Sequence, residues 1–334
     1  MPEVLVDQSV SPAAHRAGML AALRDGVVDN RFHYVGERSA RMWRELASAH
    51  SPAHADDGLA AYDAAARAAL DALPAGPVHL VGVACGDGVK ERRLLGALAA
   101  AGRHDLFATP VDVSVPLATA ASQAMAAVPG VQATSALAVD ITAVTDLSPL
   151  LPPRLPGARL VTLFGVISTL GPGAMAPAAS LLTAGDVLMV SANLLPDRPG
   201  ARDDVMAQYD NAPTRAWLGA VLEDIGVAGA GDISFRWEDS GGAVTIVGEV
   251  TPPTPVVARV DGITLDLPAG RPIRVLQSFR HSPEGLAQLL RGAGAAQVVT
   301  CVSPSEEEGV AVGYVPMSPS TPSAARTGEY SSTS

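Results

Sequence analysis

LVGVACGDGVKERRLL, residues 80–95, passes from an apolar stretch through a cluster of small residues into a charged, leucine-bearing segment. That order is how a buried parallel strand hands over to a helix, and small residues at the junction let backbone approach a ligand closely. Glycines 82, 86 and 88 are spaced G-x-x-x-G-x-G, which is not the dinucleotide fingerprint G-x-G-x-x-G. Nor is it a P-loop, because the G-x-x-x-x-G-K spacing is missing and Lys90 is not followed by a hydroxyl residue. A tight turn with purely structural duties carries the same residues, so the loop by itself leaves the ligand open.

Working outward, the segments alternate. VHLVGVA, DLFATPVDVS, VQATSALAVD, RLVTLFGVIS and DVLMVSANLL read as strands. KERRLLGALAAAG, PLATAASQAMAAV and a stretch around 174–183 read as helices between them. Apolar strands separated by helices predict an α/β fold, a Rossmann-like doubly wound parallel sheet covered on both faces. Upstream, residues 12–49 read as helical with a break at Gly26, AHSPAHADDG as a loop, and 59–73 as a further helix. Beyond Arg202, YDNAPTRAWLGAVLEDIG is helical, and FRWEDSGGAVTIVGEVTP and PVVARVDGITLDLPAG look like antiparallel strands split by Gly and Pro turns. RVLQSFRHSPEGLAQLLRGAGAAQVVTCVSP returns to helix and strand, with Ser282 as N-cap and Glu284 in the first turn. The expected division is a doubly wound domain of residues 56–200 plus 281–315 and a smaller α+β unit of 1–55 plus 201–280 closing over it. Residues 316–334, rich in Ser, Thr and Pro, are expected to be disordered.

With 334 residues, 48% of them hydrophobic, the chain can bury a sizeable core. Its net charge of -11 and scattered basic residues argue against nucleic acid as a partner. Cys85 and Cys301 are too few and too far apart for a thiolate metal site, and His50 and His54 lack cysteine support, so no metal is expected. The N-terminal residues lack a basic region followed by a long apolar run, and no segment reaches the ~18 apolar residues of a membrane span. The expectation is a cytoplasmic protein that does not bind membranes.

Asp112 and Asp140 each stand where a strand stops, at the same edge of the sheet as the small-residue loop. Acids there can accept hydrogen bonds from ribose hydroxyls or an adenine amine, or can simply cap the next helix. The order CGDGVKERRLL, PVDVS with Leu117, AVDI, LFGVISTLGP, AGDVLMVSANLL and AQYDN resembles the S-adenosylmethionine-dependent methyltransferases of the histidine-specific, ergothioneine-pathway type. The similarity runs from RFHYVGERSARMW to LQSFRHSPEGLAQLLRGAGA. It implies a class I methyltransferase fold with S-adenosylmethionine as cofactor. By resemblance, Ala84, Gly86 and Lys90 contact its methionine end, Asp112 its ribose, and Asp140 with Ile141 its adenine, and Gly82, Cys85 and Ser114 count among the cofactor-binding residues. Phe164 and Gly165 then lie beside the sulfonium.

The substrate residues of that family match less well. Its substrate-gripping Asn falls at Leu170 and its acidic residue at Leu276, while Ser278, Tyr34 and Tyr209 are retained. A Tyr-rich clamp is replaced by HSPAHADD, and the first loop glycine is Ala84. A site lacking polar partners for an amino group and an imidazole rejects histidine. The expected reaction is methyl transfer, to nitrogen in the first instance, on a small amine or amino-acid derivative of specialised metabolism, with Tyr34 and Tyr209 orienting it. Either Tyr serves equally well as a core aromatic, and Trp43, Trp217 and Trp237 are assigned to packing. His281 and Asp210 are the candidate bases. The alternatives are a cofactor-bound cyclisation or elimination without methyl transfer, a subunit completed by a partner protein, and, disfavoured by the glycine spacing, a nicotinamide oxidoreductase. A monomer or dimer is expected, with a heteromeric partner as the further option.

Overall fold

The computed structural model describes residues 4–50, 56–227, 229–240 and 243–316. The loop carrying His54 and the tail from residue 317 onward lie outside the described residues. In chain order the elements open with β1 (Val4–Val6), α1 (Pro12–Arg24), α2 (Glu37–His50) and α3 (Asp56–Ala72). The alternating region follows: β2 (Val78–Val83), α4 (Val89–Ala100), β3 (Leu106–Asp112), α5 (Val115–Ala126), β4 (Val131–Thr134), β5 (Ala136–Ala138), β6 (Ala158–Phe164), α6 (Val166–Leu170), α7 (Met175–Ala179) and β7 (Val187–Asn193). Next come α8 (Ala201–Ala207), α9 (Ala212–Asp224), β8 (Ile233–Ser240), β9 (Ala243–Val250), β10 (Val256–Val260), β11 (Ile263–Leu267) and β12 (Ile273–Arg280). The described chain closes with α10 (Pro283–Gly292), β13 (Ala296–Val302) and β14 (Glu308–Tyr314).

The expected α/β doubly wound sheet is present. Its strand order is β1-β5-β3-β2-β6-β7-β14-β13, with β4 beside the start of β3. Strands from β1 to β7 run parallel, and β14 enters antiparallel between β7 and β13. From β2 the chain winds first toward β3 and later toward β6, so a crevice opens at the carboxyl end of β2, where such sheets take ligands.

Every residue of β2 is buried because helices cover both faces. The pleat sends Leu80 and Leu160 into one core with Leu95, Leu98 and Met125. It sends Val81 and Val161 into the other with Leu181, Leu286 and Leu290. Each buried Leu contributes on the order of 2 kcal/mol of transfer free energy. A further core joins Met19 and Leu23 of α1, Leu218 and Val221 of α9, and Ile273 and Val275 of β12. Over it lie the antiparallel sheets β12-β9-β8 and β10-β11.

Ser282 caps α10 as its sequence predicts, its hydroxyl accepting from the Gly285 amide at 3.1 Å with Pro283 in the first turn. Several boundaries differ from expectation. Residues 12–49 are broken far more widely than at Gly26: Asn30–Tyr34 form a 3-10 turn, and helix resumes only at Glu37. Tertiary contacts of Asn30 and Arg31, described below, outweigh helical spacing there. VQATSALAVD splits into β4 and β5, which pair with different halves of β3. The strand read as RLVTLFGVIS ends at Phe164, where Gly165 at φ +78° turns the chain into α6. The helix around 174–183 is the short α7 preceded by a 3-10 turn. β1, within the 1–55 segment assigned to the smaller unit, instead pairs with β5 as an edge strand of the large sheet.

Candidate functional site

At the carboxyl edge of the large sheet lies a cavity of about 260 Å³. The loop after β2 brings Ala84, Cys85 and Gly86 to its wall, and the first turn of α4 brings Lys90. Asp112 arrives at the end of β3, Asp140 and Ile141 after β5, and Phe164 and Gly165 at the end of β6. Tyr34, Leu170, Tyr209 and Ser278 line the same space. The strand-end and substrate candidates thus meet around one cavity.

Two of the expected cofactor residues stand apart from it. Gly82 lies within β2, where an added Cβ would sit 3.0 Å from Glu91 Cγ, so its lack of a side chain serves the packing of α4 on the strand. Ser114 is buried behind Asp112, to which its amide donates. The candidate bases also fall elsewhere. His281 is bound through its backbone to Asn193 and does not line the cavity, and Asp210 is an exposed partner of Arg215.

Asp112 organises the glycine loop. One carboxylate oxygen accepts from the Gly86 amide at 2.9 Å and the other from the Ser114 amide at 2.9 Å. Burial raises this carboxyl to about 6, while the two amides pull the other way. Gly86 itself has φ +60°, and a Cβ there would come within 2.7 Å of Trp43 Cη2. Ala84 takes φ +50°, a conformation that L residues other than glycine rarely adopt. Burial also drives the Cys85 thiol well above its ordinary value, leaving it a neutral wall group.

Asp140 is engaged more fully than its expected role requires. Arg31 forms an ion pair with one of its oxygens, and the other accepts from the Thr142 amide at 2.9 Å and hydroxyl at 2.7 Å. Asp140 and the Arg31 guanidinium both line the cavity.

The opposite wall is aromatic. Tyr34 lies edge-on to both Trp43 and Trp217, with ring centroids 5.6 Å apart in each case. These two tryptophans, which sequence assigned to packing, are cavity residues. Burial holds the Tyr34 phenol neutral, far above its ordinary value. Trp237 lies outside, under the Arg202 guanidinium.

Tyr209 joins a polar cluster: its hydroxyl is 2.9 Å from Ser278 Oγ and accepts from Arg280 at 2.9 Å and from Asn193 at 3.4 Å. With the phenol oxygen so supplied with donors, its own proton is free to turn to Ser278 or to a ligand. Glu308, at the start of β14, is buried and lines the cavity. Arg31, Asn30, Thr169, Gln208, Gln277 and Glu308 were not foreseen, because each reaches the cavity through topology rather than through a local motif. Among the described residues no group of three or more His, Cys, Asp and Glu forms a metal site, and no helix is long and apolar enough to cross a membrane.

No protein-family model and no curated protein sequence matches the chain. Among solved structures it is similar to the DhpI-SAM-HEP complex, with 17% identity, a TM-score of 0.39, and coverage of 82% of this chain and 96% of that one. It is also similar to the CcbJ methyltransferase from Streptomyces caelestis, with 17% identity, a TM-score of 0.36, and coverage of 76% of this chain and 90% of that one. A third similarity is to the CurJ carbon methyltransferase, with 12% identity, a TM-score of 0.46, and coverage of 92% of this chain and 66% of that one.

Proposed function

We propose that this chain is an S-adenosylmethionine-dependent methyltransferase acting on a small amine or amino-acid-derived intermediate of specialised metabolism, other than histidine. The observation that carries this reading is the meeting of Gly86, Asp112, Asp140 and Gly165, from four successive strand ends, around one cavity at the switch point of the sheet. The Trp43 indole packs directly on the side-chain-free face of Gly86, where a Cβ would come within 2.7 Å of it, so the glycine lets the aromatic wall close on the loop. The donor set fits the group as well. Asp112 has lone pairs left for a ribose diol, Asp140 and Arg31 offer an acceptor and a donor to a purine edge, and Lys90 offers a cation to a carboxylate.

Bound there, the cofactor supplies a methyl group activated by its positively charged sulfur. The chain's own contribution is alignment, which for well-placed reactants is worth roughly 7 kcal/mol or more. Tyr209 and Ser278 hold the acceptor by hydroxyl contacts. The acceptor nitrogen has to enter neutral, with its lone pair free, and Tyr34, Trp43 and Trp217 line the wall where positive charge would develop on it, a ring face on that charge being worth about 0.5–2 kcal/mol. Leu170 and Leu276 line the cavity without a polar atom, keeping water from the reacting pair and offering no partner at those two positions to histidine's amino group or imidazole.

Calorimetric titration with S-adenosylmethionine, followed by measurement of S-adenosylhomocysteine formed with a set of small amines, tests the proposal. Saturable one-site binding with stoichiometric by-product supports it; absence of binding rejects it. The leucines at 170 and 276 favour a second reading, in which the sulfonium acts only as a fixed positive charge beside a developing anion in a cyclisation or elimination. Turnover without S-adenosylhomocysteine would select that reading.

A further inference from the structure

The cavity is lined by an acidic and a basic side chain, Glu308 and Lys90, that form no direct ion pair among the described residues. Glu308 is only 1% exposed, and in register it faces Asn193 across the β7 and β14 pair. Its Oε1 accepts from the Tyr62 phenol at 2.6 Å. The phenol oxygen is 2.6 Å from Ser191 Oγ, which accepts from the Gly165 amide at 2.9 Å. With one proton on each hydroxyl, the chain has a single consistent direction: Gly165 amide to Ser191, Ser191 to Tyr62, Tyr62 to Glu308.

The chain ends on one oxygen of the carboxylate, Oε1. Oε2 is buried and has no hydrogen-bond partner among the described residues. A buried acceptor left in that condition is costly, and a cationic donor from a ligand would satisfy it. Lys90 stands on the same tyrosine, its ammonium 5.5 Å from the Tyr62 ring centroid, and forms no ion pair within 4.0 Å among the described residues. Both residues line the cavity. Burial raises the Glu308 carboxyl and the nearby Lys90 charge opposes that rise; a vacant carboxylate oxygen beside an ammonium that makes no direct ion pair complements a zwitterion.

We propose that Glu308 and Lys90 clamp one α-amino-acid moiety, Glu308 Oε2 receiving its ammonium and Lys90 its carboxylate. The chemistry of the clamp stands on these residues alone, whereas its delivery by the aminoacyl end of the sulfonium nucleoside rests on the function proposed above. The other source of the same moiety is an amino-acid acceptor.

Two nucleosides separate the sources: S-adenosylhomocysteine, and 5'-methylthioadenosine, which lacks the amino-acid end. Both are titrated calorimetrically into the wild-type chain, Glu308→Gln and Lys90→Met, with near-ultraviolet circular dichroism confirming that each variant is folded. Each variant is expected to weaken S-adenosylhomocysteine binding roughly tenfold or more while leaving 5'-methylthioadenosine within about twofold. If nucleoside binding is unchanged, but an L-amino acid taken up by the S-adenosylhomocysteine-loaded wild type no longer binds the variants, the moiety belongs to the acceptor and the clamp holds. Variants that alter neither, or weaken both nucleosides alike, overturn the clamp. A wild type that binds neither nucleoside overturns the methyltransferase reading instead, and amino-acid titration of the bare chain and the two variants then decides the clamp alone.

Discussion

The side chain of Asn30 brackets the peptide of Gln277. Its Oδ1 accepts from the Gln277 amide at 3.1 Å, and its Nδ2 donates to the Gln277 carbonyl at 2.5 Å and to the Thr169 carbonyl at 2.8 Å. Asn30 is buried, so one carboxamide fastens the N-terminal turn, β12 and α6 to one another at the cavity wall. Asn30→Ala leaves these buried groups unsatisfied. It should lower the unfolding free energy by about 2 kcal/mol in urea denaturation. An unchanged midpoint would mean that the wall is held by packing alone.

Glu91 makes stability depend on pH in the direction opposite to most carboxylates. It is buried on α4 with Thr162 donating to it at 3.1 Å, and burial lifts it to about 7 from an ordinary 4.5. Between those two values the folded chain holds a proton that the unfolded chain has released, so this residue's contribution to stability falls as pH rises through 7. Glu91→Gln removes that penalty. It should be more stable than wild type at pH 8, by on the order of 2–3 kcal/mol at most, with the advantage gone by pH 4. Thermal unfolding of both proteins across this range provides the check.

Ala84 occupies a backbone conformation suited to glycine, with φ +50°. Ala84→Gly relieves that strain at some cost in unfolded-chain entropy. A net gain of roughly 0.5–1 kcal/mol is expected from chemical denaturation. A loss would show that the alanine methyl's contact with the second core outweighs the strain.

The converse change at the next glycine should damage the site. Gly86→Ala places a methyl 2.7 Å from Trp43 Cη2 at φ +60°. Trp43 must move into or away from the cavity that it lines. On the methyltransferase reading, nucleoside affinity falls roughly tenfold or more, accompanied by a shift in tryptophan emission. Wild-type affinity with unchanged emission would place the nucleoside elsewhere.

Strand-end chemistry was legible in the sequence because it is local. A buried parallel strand announces itself by an unbroken apolar run, and the residues just past its end share one edge of the sheet whatever the rest of the chain does. Ala84, Gly86, Asp112 and Asp140 could therefore be grouped from spacing and order, whereas Gly165, inside the stretch read as strand, joined them only through the family resemblance. Arg31, Asn30 and Glu308 could not, since Arg31 lies 109 positions from Asp140, and Glu308 is 246 from Tyr62. Helical spacing carried the reading astray at 30–34, where Asn30 and Arg31 bind across the cavity and hold a tighter turn. The same spacing hid the role of Trp43. An aromatic at a core-like position on α2 looks identical whether it meets a neighbouring side chain or the wall of a cleft.

β14 is translated after β13 yet slots between β13 and β7, pairing with both. A growing chain on the ribosome can therefore assemble the parallel half of the sheet early, but its last gap stays open until residues 308–314 have emerged. Until then Tyr62 lacks its carboxylate partner, and the pocket lacks a wall. Ligand capture during synthesis is accordingly postponed until that strand has emerged, and a message cut short before it would yield a protein with an exposed β7 edge and no competent cleft.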